Sequence, residues 1–554
     1  MSVNQYGIYV VYPPTVDLTA QGLGRYLAAF LKGASERDDV RFVIICPSWS
    51  VDAIHALLDA EGVPRSHLQI VSPKGKPYLL RAYELVRAFW QRRPSLGILI
   101  RAKRAVERTF ARLTQGVIQR VARARTLLDL AGLLVWLLPC LLLAVVALPL
   151  ALVSAVAVGG LLLWRSATVR ASSKVQRVLA LYARATAVLV KPQDSGLVLR
   201  LFTAMHDAET ERMERLIGKM TDVRAWYCPT AFWTAFNRID APRLMCVPDV
   251  VLMDFPVAFA SLGGTRVLDT FEDIQGAIRA ADHLVTYSGA VKAQTLVDRL
   301  GVATDRVHVV PHAPNSLDKW VAVTGFPDNE ETSRRYCGSL LLGALANKSN
   351  RADYTAGFAN RELKFLFYAS QFRPNKNVLS LLRAYEFLLR DQGLGLKLLL
   401  TGDVAALPEV AHFIGEHRLA NDVICLKGLS VSELAACYKL ATLAVNPSLS
   451  EGGCPFTFTE ALSVGTPVVM ARISVSEEVL DDPALQAVTF FDPYDWKDMA
   501  QRIRFGVAHR DQLLAVQSPA YERLAQRTWR DVVDEHIDIL DRVARQRAGV
   551  EVIS

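Results

Sequence analysis

The chain has 554 residues, 51% of them hydrophobic and 21% charged, enough for two or three domains with their own cores and too many for one compact domain. Its formal charge of +8 is concentrated in arginine-rich stretches at 92–125 and 165–184, which suits a membrane surface or a phosphorylated ligand as well as nucleic acid. The eight cysteines show no CxxC spacing, which argues against a disulfide scaffold and for reduced thiols in a cytoplasmic protein.

The first residues, MSVNQYGIYVVYPP, lack a basic n-region, an apolar core and a cleavage site, so no signal peptide is expected. Gly7 to Tyr12 reads as a short buried strand. A Gly- and Thr-containing loop then enters a helical pattern from Leu23 to Lys32, and Arg41 to Cys46 is the next strand. Gly22 and Gly24, with Arg25, lie at this loop-to-helix junction, where backbone N–H groups can face an anion.

Between Asp129 and Arg165 runs a stretch of about 35 uncharged residues, well beyond the roughly 20 that one crossing requires. Pro139 and Pro149 interrupt it, which predicts a break that gives two short helices or a re-entrant hairpin. Both flanks are basic, with Lys103, Arg104, Arg108, Arg112, Arg120, Arg123 and Arg125 before it and Arg165, Arg170, Lys174 and Arg177 after it. The positive-inside tendency therefore places both in the cytoplasm, at the inner face of the cytoplasmic membrane.

Strand patterns resume at Leu244 to Val247, His283 to Tyr287 and Val307 to Val310, completing a first domain that the hairpin interrupts. Residues 316–360 show no sustained period and read as a connection with some local helix. From Leu363 strands and helices alternate: Leu363 to Ala369, helix Val378 to Arg390, Leu396 to Leu400, Val423 to Leu426, Leu443 to Asn446, Pro467 to Ala471 and Val488 to Phe491. This alternation predicts a parallel sheet covered on both faces. Apolar residues at helical spacing between Tyr521 and Gln546 predict a closing helix. The expected organisation is 1–95 (first domain, opening part), 96–190 (basic helices and membrane hairpin), 191–325 (first domain, remainder), 326–360 (linker), 361–520 (second domain) and 521–554 (closing helix and tail).

The residues richest in chemistry follow the strand Leu443 to Asn446. Ser448 to Pro455 contains Glu451, Gly452, Gly453 and Cys454, and the next helix contains Glu460. Ligands bind beyond the carboxyl ends of such strands, and glycines before a helix N-terminus let N–H groups approach a diphosphate. A glutamate inside that helix can accept hydrogen bonds from sugar hydroxyls. Taken alone, such a glutamate would more often mark a solvated helix face.

The segment SLSEGGCPFTFTEALSVGTPVVMA resembles the acidic signature of family 4 retaining glycosyltransferases. YASQFRPNKNVLSLLRAY and LKLLLTGD are similar to upstream segments of the same family. GLGRYLAAFLKG and HLVTYSGAVKAQTLVDRLGVATDRVHVVPHAPN resemble parts of its first domain. The resemblance implies an α/β fold of the GT-B type, two Rossmann-like domains facing a cleft, here with the hydrophobic hairpin inserted in the first. It implies that Glu460 holds the nucleotide ribose, that Glu451 lies beside the donor sugar and that Lys376 neutralises the diphosphate. Arg373 stands in for an arginine that the family carries where this chain has Gln371. Eight residues intervene between Glu451 and Glu460 instead of seven, and Pro248 occupies a histidine position before Asp249. His206 and His312 are the remaining histidine candidates. Residues at strand ends, Gly402, Lys427 and Gly428, would contact the base.

These features predict metal-independent transfer of a hexose, without a cofactor, from a nucleotide-sugar substrate to a lipid-linked saccharide at a membrane, and no nucleic-acid partner. The arrangement RPNKN looks like that of mannosyltransferases, which favours GDP-mannose over a UDP-hexose. An inactive sugar-nucleotide-binding partner in a polysaccharide complex is a competing class. A transporter is disfavoured, because one hairpin cannot build a substrate pathway.

Overall fold

The computed structural model describes residues 3–14, 16, 18, 22–91, 196–263, 265–326, 329–355, 358 and 363–553. The chain divides into two compact units, residues 1–74 with 209–554, and residues 75–208. The expected hairpin at 130–164 lies outside the described residues. Among the described residues no helix is long and apolar enough to cross a membrane. In the second unit the described parts are the helix Tyr78–Gln91 and the opening of the helix Gly196–Ile217.

The first unit holds two parallel sheets. The first has seven strands: β1 (Asn4–Tyr9), β2 (Val40–Ile45), β3 (Leu68–Val71), β4 (Val223–Cys228), β5 (Arg243–Cys246), β6 (Leu284–Thr286) and β7 (Val307–Val309), in the order β3-β2-β1-β4-β5-β6-β7. The second has six: β8 (Phe365–Tyr368), β9 (Lys397–Leu400), β10 (Val423–Cys425), β11 (Leu443–Asn446), β12 (Val468–Ala471) and β13 (Phe490–Phe491), in the order β10-β9-β8-β11-β12-β13. Alternate side chains enter opposite faces. Tyr6 and Ile8 join one core layer and Tyr9 the other, and Leu366 and Tyr368 oppose Phe365 and Phe367. Each sheet is therefore apolar on both faces, which accounts for the near-continuous hydrophobic strands. Strand order reverses between β1 and β4 and between β8 and β11, so the loops leaving those strands open the crevices where ligands bind in such folds.

Several elements differ from the expectation. Neither β3 nor β4 was anticipated, although β4 lies at the centre of its sheet. It follows a long helix and is recognisable only through its parallel pairing with β1, more than 200 residues away. The pairing explains a glycine as well: Gly7 lies opposite Trp226, and a Cβ on Gly7 would stand 2.2 Å from the indole. Within the expected connection 326–360 lies a 19-residue helix, Glu330–Lys348, capped by Asn329. Its Cys337, Leu341 and Leu345 pack into the second domain's core. A narrow i, i+4 stripe, diluted by Gly338 and Gly343, gives little amphipathic signal.

In place of one closing helix there are two, Arg510–Ala525 and Trp529–Ile553. They are separated by a capping turn in which Asp531 N–H donates to Thr528 Oγ1 (3.2 Å) and Thr528 N–H to Asp531 Oδ2 (2.8 Å). The last helix returns to the first domain. Val532, Val533, Ile537, Leu540 and Val543 complete its core, and Tyr6 Oη donates to Asp541 at 2.7 Å.

Candidate active site

The site is built where the two loops at the β8/β11 reversal meet. After β8 the chain makes a short turn, Pro374–Lys376, and Asn377 adopts φ +52° to start the helix Val378–Arg390. After β11, Asn446 Oδ1 accepts Ser448 N–H at 3.2 Å, and Leu449 N–H donates to Asn375 carbonyl at 2.8 Å, so the two loops are tied together. Lys376 Nζ consequently lies 2.7 Å from Glu451 Oε1 and 3.3 Å from Ser448 Oγ. Both charged side chains are about one-fifth exposed, Lys376 at 21% and Glu451 at 20%, so their pairing is screened yet still open to an incoming anion.

The glycines beyond Glu451 permit close approach by the first domain. A Cβ on Gly452 would lie 1.9 Å from the Pro248 carbonyl oxygen, and one on Gly453 2.9 Å from His312 Nε2. Ser288 Oγ donates to Gly452 carbonyl at 3.1 Å. The His312 ring packs on Phe456 at 4.5 Å between centroids, and burial lowers its pKa. Cys454 is half-buried, its thiol pushed up to about 12 by desolvation with Glu451 adding to the effect. The loop ends at Pro455, and the helix Phe456–Ser463 carries Glu460 inward, 3% exposed. There Glu460 meets Arg25 Nη2 at 2.5 Å and Asn315 Nδ2 at 3.1 Å.

Asp249, beside Pro248, joins the same electrostatic group. Burial raises its pKa to about 6; Lys376 and Arg373 pull it down, whereas Glu451 and Asp254 push it up. The unfolded carboxyl titrates near 3.8, so ionising Asp249 opposes folding. Its favourable contribution is complete below that value and is lost as pH rises through 6. Asp249→Asn is expected to be more stable than the parent by about 2 kcal/mol at pH 8. The difference should shrink between pH 6 and pH 4, as read by urea unfolding across that range, and a pH-independent difference would contradict the assignment.

The structure thus brings together Lys376, Glu451, Gly452, Gly453, Cys454, Asp249, His312, Glu460 and Arg25. Arg373 stands at the rim, donating from Nη2 to Gln371 Oε1 at 2.7 Å. Gly402 packs under Phe372, whose ring leaves no room for a Cβ. Gly24 is set against the Leu18 carbonyl, whereas Gly22 has open space. Lys427 pairs with Asp403, and Gly428, at φ +68°, accepts Lys348 Nζ at 2.7 Å. Among the described residues neither is bonded to the Lys376–Glu451 group. His206 falls in the second unit. The sequence alone assigns no role to Ser288, Asn315 or Ser448, although all three lie in segments that carry the family resemblance. Among the described residues no His, Cys, Asp and Glu cluster has the makings of a metal site.

Residues 353–522 match the family model for glycosyl transferases group 1. No match is found among curated proteins. Among solved structures, the N-terminal domain of trehalose-6-phosphate phosphatase from Candida albicans is similar in fold, with a TM-score of 0.53 and 11% identity over 98% of this chain and 97% of that one. Anabaena Alr3699/HepE, solved in complex with UDP and glucose, gives a TM-score of 0.50 and 12% identity over 97% of this chain and 100% of that one. At such identities the likeness concerns the fold, which is of the GT-B type.

Proposed function

We propose that this glycosyltransferase moves a hexose, with retention of anomeric configuration and without a metal, from a nucleotide diphosphate donor to a lipid-linked saccharide at the cytoplasmic face of a membrane. The observation that carries the reading is the Lys376–Glu451 pair at 2.7 Å, set beside a glycine loop at a strand-order reversal. When the bond between the anomeric carbon and the phosphate oxygen breaks, negative charge grows on the leaving diphosphate. Lys376 and Arg373 supply fixed positive charge for it, and the N–H groups of Gly452, Gly453 and Cys454 supply donors. The carboxylate of Glu451 lies beside the sugar, and Glu460 takes hydroxyls of the ribose. On the acceptor side, Asp249 lies among Ala231, Phe232, Val250 and Leu252, with Phe232 51% exposed. An acidic group framed by apolar side chains suits an acceptor hydroxyl carried by an amphiphile, and the uncharged run at 130–164 is long enough to tether the chain to a bilayer.

The donor favoured by the Arg373-Pro374-Asn375-Lys376-Asn377 arrangement is GDP-mannose. UDP-glucose is the competitor, because the Anabaena neighbour is described with UDP and glucose. Thermal unfolding with each nucleotide sugar, in the presence of EDTA, separates them. A donor at about a hundred times its Kd adds roughly 2.7 kcal/mol to folded-state stability, so GDP-mannose is expected to raise the unfolding temperature where UDP-glucose does not. Stabilisation by the uridine series alone would overturn the mannosyl assignment and leave the glycosyltransferase reading standing. No response to any nucleotide sugar would overturn both.

A further inference from the structure

Glu460 is shared between the two domains in an uneven way. Its Oε1 accepts from Arg25 Nη2 at 2.5 Å and from Asn315 Nδ2 at 3.1 Å, and the buried Tyr438 hydroxyl lies beside the same carboxylate. The carboxylate is nearly enclosed, with 4% of its side chain exposed against 27% for Arg25. Arg25 comes from the opening turn of the first domain's helix Gly22–Ala34 and Asn315 from the chain leaving β7, while Glu460 rides on the second domain's helix Phe456–Ser463. The same helix is held at two more points, by Asn315 N–H to Thr459 Oγ1 at 3.3 Å and by Leu317 N–H to Ser463 Oγ at 2.9 Å.

Enclosing a carboxylate costs free energy unless a cation is paired with it. Arg25 provides one from the opposite domain, through a planar fork that also fixes the plane of the carboxylate. One oxygen is then committed to closure of the domains, and the carboxylate, an acceptor with several lone pairs, keeps capacity for a ligand beside Tyr438. We infer that Arg25 is a positioning residue for the donor: by holding Oε1 it orients the carboxylate toward the vicinal hydroxyls of a nucleotide ribose, coupling domain closure to nucleotide binding through a single carboxylate. This rests on the proposed nucleotide-sugar donor and assigns Arg25 to the donor side of the cleft.

Coupling of this kind has a signature that a plain interdomain staple lacks. A plain staple between Arg25 and Glu460 would weaken the ribonucleotide and its dideoxy form alike, whereas a positioning residue acts through the ribose hydroxyls, so its loss falls on the ribonucleotide. The test is calorimetric titration of GDP and UDP, and of their 2′,3′-dideoxy forms, into the full chain and its Arg25→Ala, Arg25→Lys, Glu460→Gln and doubly substituted Arg25→Ala/Glu460→Gln variants, with folding checked by circular dichroism. Arg25→Ala is expected to weaken the preferred nucleoside diphosphate roughly 10-fold, Arg25→Lys less. The double variant should bind no more weakly than Glu460→Gln alone. The parent should discriminate against the dideoxy form, and Arg25→Ala should lose most of that discrimination. Should the parent bind a nucleotide while the two substitutions add independently, or should Arg25→Ala keep full dideoxy discrimination, the inference falls and the donor reading stands. If the parent binds neither nucleotide, both fall.

Discussion

Replacing Lys376 with alanine is expected to lower turnover by roughly 10²- to 10³-fold while leaving the chain folded. The ammonium group lies 2.7 Å from Glu451 and shares its surroundings with Asp249, whose carboxyl is already burdened by burial and by the charges of Glu451 and Asp254. Removing the cation withdraws the charge facing the diphosphate and leaves Glu451 and Asp249 to repel that same diphosphate. The effect should be larger in kcat than in KM, because charge on the leaving group grows toward the transition state. Lys376→Arg keeps the charge but spreads it over a planar fork, and should recover only part of the rate. Initial rates at saturating donor would measure this, and a Lys376→Ala variant within a few-fold of the parent would show that the donor binds elsewhere. Glu460→Ala should fall in the same range, because it removes both the ribose acceptor and the partner of Arg25.

Gly452→Ala should be nearly as damaging, for a steric reason. Its new methyl would stand 1.9 Å from the carbonyl oxygen of Pro248 and 2.5 Å from the carbonyl carbon, and neither atom can swing aside as a side chain can. The loop must lift away from the first domain, breaking the 3.1 Å hydrogen bond from Ser288 Oγ to Gly452 carbonyl. A shift of about 1 Å at a catalytic loop can cost about 10²-fold in rate. Gly453→Ala meets His312 Nε2 and Tyr287 Cβ, both at 2.9 Å. The histidine can adjust, so a milder loss of about 10-fold is expected. Comparing kcat for the two variants, alongside urea unfolding to show that the sheets persist, tests the difference. Equal activities would mean that closure against Pro248 does not matter to the reaction.

Much of the second domain was legible in the sequence, because its elements are short, regular and locally determined. Val378–Arg390 and Leu443–Asn446 have the bounds that periodicity implied, and both loops that hold Lys376 and Glu451 follow strands that alternation alone located. A buried strand needs apolar residues on both faces and a helix needs a 3.6-residue stripe, and each requirement writes itself into neighbouring positions. The first domain was less legible. The central strand Val223–Cys228 carries the same kind of buried residues, but its partner β1 is separated from it by the whole of residues 75–208. The helix Glu330–Lys348 was obscured by two glycines and a stripe too narrow to stand out.

What the sequence determined by itself was therefore the class of fold, the strands and loops of the second domain, and the residue types available for chemistry at each loop. Tertiary structure decided which of those residues meet. Arg25 and Glu460 are 435 positions apart, and no local propensity relates them. The last helix could have been read as closing either domain, yet its apolar stripe fits the core beside Tyr6 and Phe30. The glycines at 452 and 453 could be seen as a flexible turn, but only the approach of Pro248 and His312 shows why a side chain would not fit there. Local patterning constrains each segment's own backbone, whereas contacts between domains depend on the packing of whole surfaces, which is encoded jointly by many distant residues and by none of them alone.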